Sequence, residues 1–427
     1  MADMNKFMIT HWCGVPHKFI RHEDGTLAAE RFEEMKEAGL NLIECYDYGY
    51  ETMCEVLALC EKLGLRVTIR DNRIFAALND TLTYEQRYEI LEPVVRDYAG
   101  YPALLGYHVG DEPNSAAFPK MAEVFSILKK LDPAHESYVN LFPNYASHEM
   151  LGNPTYYDHL DKYSEIVKPE IISYDHYHFC VELPTPDAKR PDVMDLSERD
   201  AQIVESIYKN FERPGFLDNI EDARAVSLKH DIPFMVIILI TAHGPYRDVT
   251  EAELRWEVFH TLAYGANRVS YFTYWTPGVD WEELDHVMHW NGGLIAKDGS
   301  RTHHYYMAQK INKDAQAVGD ILLHHRSEAV YHIGKEGDTK VTYWPGSHGD
   351  ITSMTAEKVT VGCFDGGYTL LVNKDYVNPQ TVTFTATEGK RVMHYCKTCG
   401  LWKPLAAENG TYTVMMAAGD GELIRID

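Results

Sequence analysis

From residue 8 to residue 322 the chain repeats one alternation, a short apolar run followed by a longer amphipathic one. "KFMITHWCG" reads as a strand and "LAAERFEEMKEAGL" as the helix behind it, with a glycine near its end. The pairing recurs in "NLIECYDY" with "YETMCEVLALCEKLGL", "RVTIRDN" with "YEQRYEILEPVVRDYAG", "ALLGYHVGDEP" with "FPKMAEVFSILKKLDP", and "ESYVNLFPN" with "YYDHLDKYSEIVKP". "EIISYDHYHF", "IPFMVIILITAHG" and "RVSYFTYWTP" supply strands six to eight. Their helices are expected within 200–230, in "TEAELRWEVFHTLAYGA" and in "YYMAQKINKDAQAVGDIL". Eight such units in a row predict an α/β protein whose parallel strands close into a (β/α)8 TIM barrel. An open doubly wound sheet would ordinarily carry a G-x-G-x-x-G turn after its first strand, and "HWCGVPHKF" has none.

After about His325 the period changes to short alternating runs broken by Gly, Asn and Asp, such as "KVTVGCFDGGYTLLVNK" and "QTVTFTAT". A C-terminal all-β sandwich domain over 325–427 is expected behind a barrel over 1–324. The stretch "FCVELPTPDAKRPDVMDLSERD" after strand six is long, polar and proline-rich, and is expected to form a lid. Cys396 and Cys399 form one C-x-x-C without a second pair nearby, which predicts a hairpin turn and a reduced thiol pair.

The chain has 64 acidic against 40 basic residues, a formal charge of −24. Such a charge repels phosphate backbones and anionic lipid, so neither nucleic acid nor a membrane is an expected partner. No apolar run reaches the roughly 18 residues of a membrane span. "MADMNKFMITHW" lacks a basic segment followed by an apolar core, so a cytoplasmic location is expected. The sequence leaves homo-oligomerisation open and calls for no cofactor.

In a (β/α)8 barrel the site lies at the carboxyl ends of the strands. That rule selects His11 and Trp12, Glu44, Tyr46 and Asp47, then Arg70, Asp71 and Asn72. It continues with His108, Asp111 and Glu112, Asn140 and Asn144, Asp175, His176 and His178, His243, and finally Tyr274 and Trp275. Acids, amides, histidines and aromatics on one rim suit a polar, ring-shaped ligand. Glu112 can act as a general acid if its surroundings raise its pKa. His176 and His178 at i, i+2 spacing share one face of a strand, opposite Asp175. With His11, His108 or His243 they could ligate a metal, but no H-E-x-x-H pair occurs and sugar-hydroxyl hydrogen bonding is the preferred reading.

"GDEP" at strand four, "YFTYWTP" at strand eight and "GPYRDVTEAELRWEVFHTLAYGANRVSYFTYW" between them resemble the barrel glycosidases of clan A. The likeness is to proteins related to family 42 β-galactosidases and to bacterial glycosidase-like proteins, and it covers about Met8 to Leu322. It implies glycoside hydrolysis of a carbohydrate substrate with Glu112 as acid/base. It also implies a sugar-binding residue just before that Glu, usually Asn and here Asp111, and an aromatic platform at Trp275. The clan's nucleophile, a Glu ending strand seven, is missing, because Ala242 and His243 stand there. Asp175 is the first candidate for the second carboxylate, as base or nucleophile, with Glu44, Asp47 and Asp71 behind it. Asp71, Asp111, Asn140, His11, Glu44, His176, His178, Tyr274 and Trp275 are the expected sugar contacts. A carbohydrate-binding barrel without catalysis, or a metal-dependent barrel enzyme of another class, are the alternatives.

Overall fold

The computed structural model describes residues 6–182, 197, 199–200, 209–280, 288–335 and 337–427. Most of the expected lid therefore lies outside the described residues. Eight parallel strands form the barrel: β1 (Met8–His11), β2 (Leu42–Cys45), β3 (Arg66–Ile69), β4 (Leu104–Asp111), β5 (Glu136–Leu141), β6 (Ile172–Asp175), β9 (Phe234–Leu239) and β10 (Arg268–Phe272). Their order is β1-β10-β9-β6-β5-β4-β3-β2. Asn41 joins the two ends of that order: its backbone N–H donates to Ile9 O (3.1 Å) and its Oδ1 accepts from Ile9 N (2.8 Å).

Strand side chains alternate between two faces. The outer set, including Ile9, Ile43, Val67, Tyr107, Val139, Tyr174, Val236 and Val269, packs against the helices in one continuous core. The inner set begins with a small apolar plug of Met8, Leu42 and Leu105. Above it the interior turns polar, with Thr10, Glu44, Thr68, His108, Ser173 and Ser270 all buried.

Between β6 and β9 the chain adds a two-stranded antiparallel ribbon, β7 (Phe179–Val181) with β8 (Asn210–Glu212). The sixth strand is thus shorter than its sequence suggests, and His176–His178 lie in the link beyond it. The last barrel helix, His303–Leu322, is followed by β11 (Ser327–Ile333). From there two antiparallel sheets form, one of six strands and one of three, with a separate core around Val361, Leu371, Val382, Phe384 and Ile424. Cys396 ends one strand of a hairpin in the larger sheet, as the C-x-x-C spacing predicts. Among the described residues, no helix is long and apolar enough to cross a membrane.

Candidate active site

Strand β4 carries two acids into the mouth by breaking its own alternation. Opposite β5, the register runs His108 to Tyr138 and then Gly110 to Val139, so one extra residue bulges out. A Cβ on Gly110 would point outward, 3.0 Å from Met121 Cε. The bulge lets His108 and Asp111, three apart, both face inward. Glu112 follows with φ +43°, a left-handed conformation that costs a non-glycine residue about 1 kcal/mol. Its N–H donates to Asn140 O (2.7 Å), which extends the ladder by one bond while the side chain turns back over the mouth.

There Glu112 is hydrogen-bonded to Asp175, the last residue of β6. Burial pushes the Glu112 carboxyl up to about 8, and the negative charges of Asp175 and Asp111 push the same way. Asp175 is pushed up to about 7, again chiefly by burial, against a hydrogen bond from Asn140 that favours its charge. Two acids this close share a proton across neutral pH. Asn140 Nδ2 bridges Asp175 Oδ1 (3.0 Å) and Asp111 Oδ1 (3.2 Å), and Ser173 Oγ donates to its Oδ1 (3.2 Å). Asp111 is open to solvent on one side but crowded by protein on the others; that crowding raises its carboxyl, and Glu44 adds to it.

One layer deeper, Glu44 meets the opposite fate. Its Oε1 lies 2.7 Å from His108 Nδ1, and Tyr138 OH donates to Oε2. Burial alone would raise this carboxyl, but His108, Arg70 and Tyr138 outweigh it and hold it below its ordinary value. Glu44 therefore stays ionised beneath a protonated pair.

Aromatic rings wall the mouth on two sides. Tyr177 packs on Phe272 (5.4 Å) and edge-on to Tyr246 (5.2 Å). On the other side Trp12 and Phe75 flank Arg70. A cleft of about 430 Å³ opens there, lined by His17, Tyr46, Asp47, Arg70, Asn72 and Phe75.

Asp111, Glu112, Asn140, Asp175 and Glu44 are thus brought together, with His108 beneath them, while the other expected sugar contacts are spent elsewhere. Asp71 caps the helix Asn72–Ala77 through Arg73 N (2.8 Å) and binds the Arg73 guanidinium (2.7 Å). His11 shares the outer face of β1 with Ile9 and packs against Tyr274 (5.1 Å); burial lowers it to about 4. His176, lowered to about 3 by burial, turns its Nδ1 to Asn219 Oδ1 (3.0 Å). His178 donates to Arg213 O (2.8 Å) and stacks on Trp256 (4.9 Å). Because the strand ends at Asp175, the expected pairing of the two histidines on one strand face does not form.

Tyr274 and Trp275 are 0% and 1% exposed, so neither offers a face to a ligand. Trp275 lies under Phe19 (4.8 Å) with the Arg31 guanidinium over its ring (5.3 Å). The inward aromatic of β10 is Phe272, half-buried in the mouth. Counting by two from Ser270 would have found it. Tyr138, Tyr177 and Phe75 were likewise not singled out: Tyr138 sits mid-strand, and Tyr177 and Phe75 lie just past strand ends. Beyond the end of β9, His243 is buried against Tyr246 (4.8 Å) and Phe272 (5.6 Å), and Glu253 further on forms a capping box with Thr250 and pairs with Arg247. Among the described residues, the groups close enough to share a metal ion are Asp248, His303 and His304, and Asp161, Glu165 and His230, none of them in the mouth.

No protein-family model matches this chain, and no curated protein does. Solved structures do. One described as a glycoside hydrolase superposes with a TM-score of 0.56 at 12% identity, over 100% of this chain and 96% of that one. A family 5 glycoside hydrolase from Bacteroides vulgatus gives 0.55 at 8% identity, over 99% and 89%. A β-galactosidase from the psychrophilic Marinomonas ef1 gives 0.51 at 10% identity over 74% of this chain, which spans only 62% of that enzyme's length. What these chains share with this one is the fold.

Proposed function

We propose that this chain is a glycoside hydrolase in which Glu112 protonates the leaving glycosidic oxygen and Asp175 keeps that proton in place. The observation that carries the reading is the hydrogen-bonded Glu112–Asp175 pair at the carboxyl ends of β4 and β6. A general acid needs a pKa near the working pH, and an ordinary Glu at about 4.3 has already lost its proton. Burial and like charge supply the difference.

The same contact supports a tuning role for Asp175. Carboxyls in direct hydrogen bond are closer than the roughly 5–5.5 Å of a retaining pair and far closer than the roughly 6.5–9.5 Å of an inverting one. No sugar carbon fits between them. In this reading Asp175 tunes Glu112 rather than acting as nucleophile or base. Asn140 orients both Asp175 and Asp111, and Asp111 is left open to take a sugar hydroxyl. Glu44, ionised below, stabilises positive charge developing on the ring. With Ala242 and His243 in the loop after β9, the attacking group is a water, which loses its proton to solvent as the new bond forms, or a group of the substrate itself.

The test is hydrolysis of a panel of aryl glycosides and natural oligosaccharides by the wild type and by Glu112→Gln. Product from at least one sugar, lost in the variant, is expected; a folded Glu112→Gln protein with full activity sinks the assignment. The missing carboxylate on β9 favours a second reading, a barrel that binds carbohydrate and does not cleave it. Saturable binding with no product after long incubation would select that reading.

A further inference from the structure

We infer that Arg70 forms a subsite for the carboxylate of an acidic sugar, so that the ligand is a uronic acid or a glycan carrying one. This inference rests on the carbohydrate reading above and deepens it. The chain has a large excess of acids, and several of its partly buried arginines are tied to them. Arg73 binds Asp71 and Asp97, Arg247 binds Glu253, Arg255 binds Asp314, and Arg268 binds Glu136. Arg70 departs from this pattern. Among the described residues it forms no ion pair, and its side chain donates no hydrogen bond.

Two aromatic rings hold it instead. Its guanidinium carbon lies 5.3 Å from the centre of the Trp12 ring and 5.6 Å from that of Phe75. Contacts of this kind act through the charge and make no call on the guanidinium's N–H donors. The aromatic walls also strip water from a cation that is already weakly hydrated. The side chain is half-buried, and it lines the cleft of about 430 Å³ beside the acids. A planar carboxylate meets such an edge through two parallel hydrogen bonds, which a neutral hydroxymethyl group cannot copy.

The nearby carboxyls do not forbid an anion. Glu44 is held by His108 and Tyr138 as well as by Arg70's own charge, and Asp111, which that charge also reaches, is held by Asn140. Glu112 and Asp175 hold a proton between them. Arg213, across the mouth, shows the contrast: it too is stacked on rings, Tyr145 (4.0 Å) and Tyr246 (5.1 Å), but it spends its Nη2 on Tyr246 OH (3.2 Å) and anchors the β7–β8 ribbon.

The experiment is a calorimetric titration of full-length Glu112→Gln protein, which blocks turnover, at pH 6.5. The probes are methyl β-D-glucuronide and methyl β-D-galacturonide against methyl β-D-glucoside and methyl β-D-galactoside. At least one uronide is expected to bind about tenfold or more tightly than its neutral counterpart, the margin of one charge-assisted pair. In the background of an added Arg70→Met that preference should vanish while neutral-sugar affinity holds; Arg70→Lys should keep part of it, and circular dichroism checks that both fold. Equal binding of acidic and neutral sugars, no uronide binding at millimolar concentration, or an equal loss for both classes in Arg70→Met would overturn the inference. Glu112-dependent hydrolysis of neutral glycosides alone would overturn it while leaving the glycosidase reading intact. Arg70-dependent uronide binding with no hydrolysis of any uronide would do the reverse.

Discussion

The barrel mouth holds two buried groups of carboxyls a single layer apart, and they keep their protons differently. Glu112 and Asp175 face each other with no cation in hydrogen-bond contact, and both are pushed up, to about 8 and about 7. Glu44 is at least as deeply buried, but His108 and Tyr138 hold its two oxygens and its carboxyl is lowered. Burial acts in the same direction on all three. What separates them is the partner: another acid in one group, hydrogen-bond donors with Arg70's positive charge nearby in the other. The difference gives the mouth one acid able to donate a proton at neutral pH, above one fixed negative charge.

Five measurements would break or sharpen this contrast. Glu112→Gln should lower kcat/KM by about 10²–10⁴-fold, the usual contribution of a general acid, with the thermal midpoint unchanged or slightly raised. An equal fall in both quantities would mean that the residue holds the fold instead. Glu44→Gln should cost about 3 kcal/mol of stability in urea titrations, because it leaves His108 buried without its charged partner. A loss below about 0.5 kcal/mol, the scale of an ordinary surface change, would show that the pair contributes little.

The two groups should also pull the pH dependence of stability in opposite directions. Glu112 and Asp175 bind protons more tightly folded than unfolded. Their contribution is complete below an unfolded carboxylate's value of about 4 and is lost as pH rises through about 7 and about 8. Glu44, lowered in the fold, contributes above about 4.3 and loses that contribution as pH falls through its folded value. In activity, the same ionisation sets an alkaline limb near pH 8. Asp175→Asn removes the like charge and should move that limb down by roughly one unit while activity persists below it. Abolished activity at every pH would return Asp175 to the role of nucleophile or base.

The smallest effect is expected outside both groups. Asp71→Ala should cost about 1–2 kcal/mol through the lost helix cap and its bond to Arg73, and leave sugar affinity alone. A selective loss of affinity would restore Asp71 to the site.

Much of this molecule was legible in the sequence. The alternation of apolar strands and amphipathic helices specifies the barrel, because parallel strands need helices on their outer face and a closed ring leaves no edge. The switch to period two marks the β domain, and the strand-end rule selects the rim. Glu112 and Asp175 could both be named because they end their strands. Two things escaped it. Whether a rim residue faces in or out depends on where the strand stops: β6 ends at Asp175, and the histidines after it turn toward Asn219 and Trp256. Trp275 is likewise beyond β10, and Phe272 takes the inward place.

What the sequence by itself determined is the architecture and the inventory of chemical groups at one end of it, since both follow from local patterns a few residues long. Only the tertiary structure decided which groups meet. The bulge at Val109–Gly110 and the left-handed turn at Glu112 bring two consecutive acids to the same side of β4. Burial and contact across strands far apart in the chain then set each proton: burial with an acid from β6 raised Glu112, and a histidine from β4 lowered Glu44 against its burial. A pKa depends on neighbours in space and on the water they exclude, and neither is written at any single position of the chain.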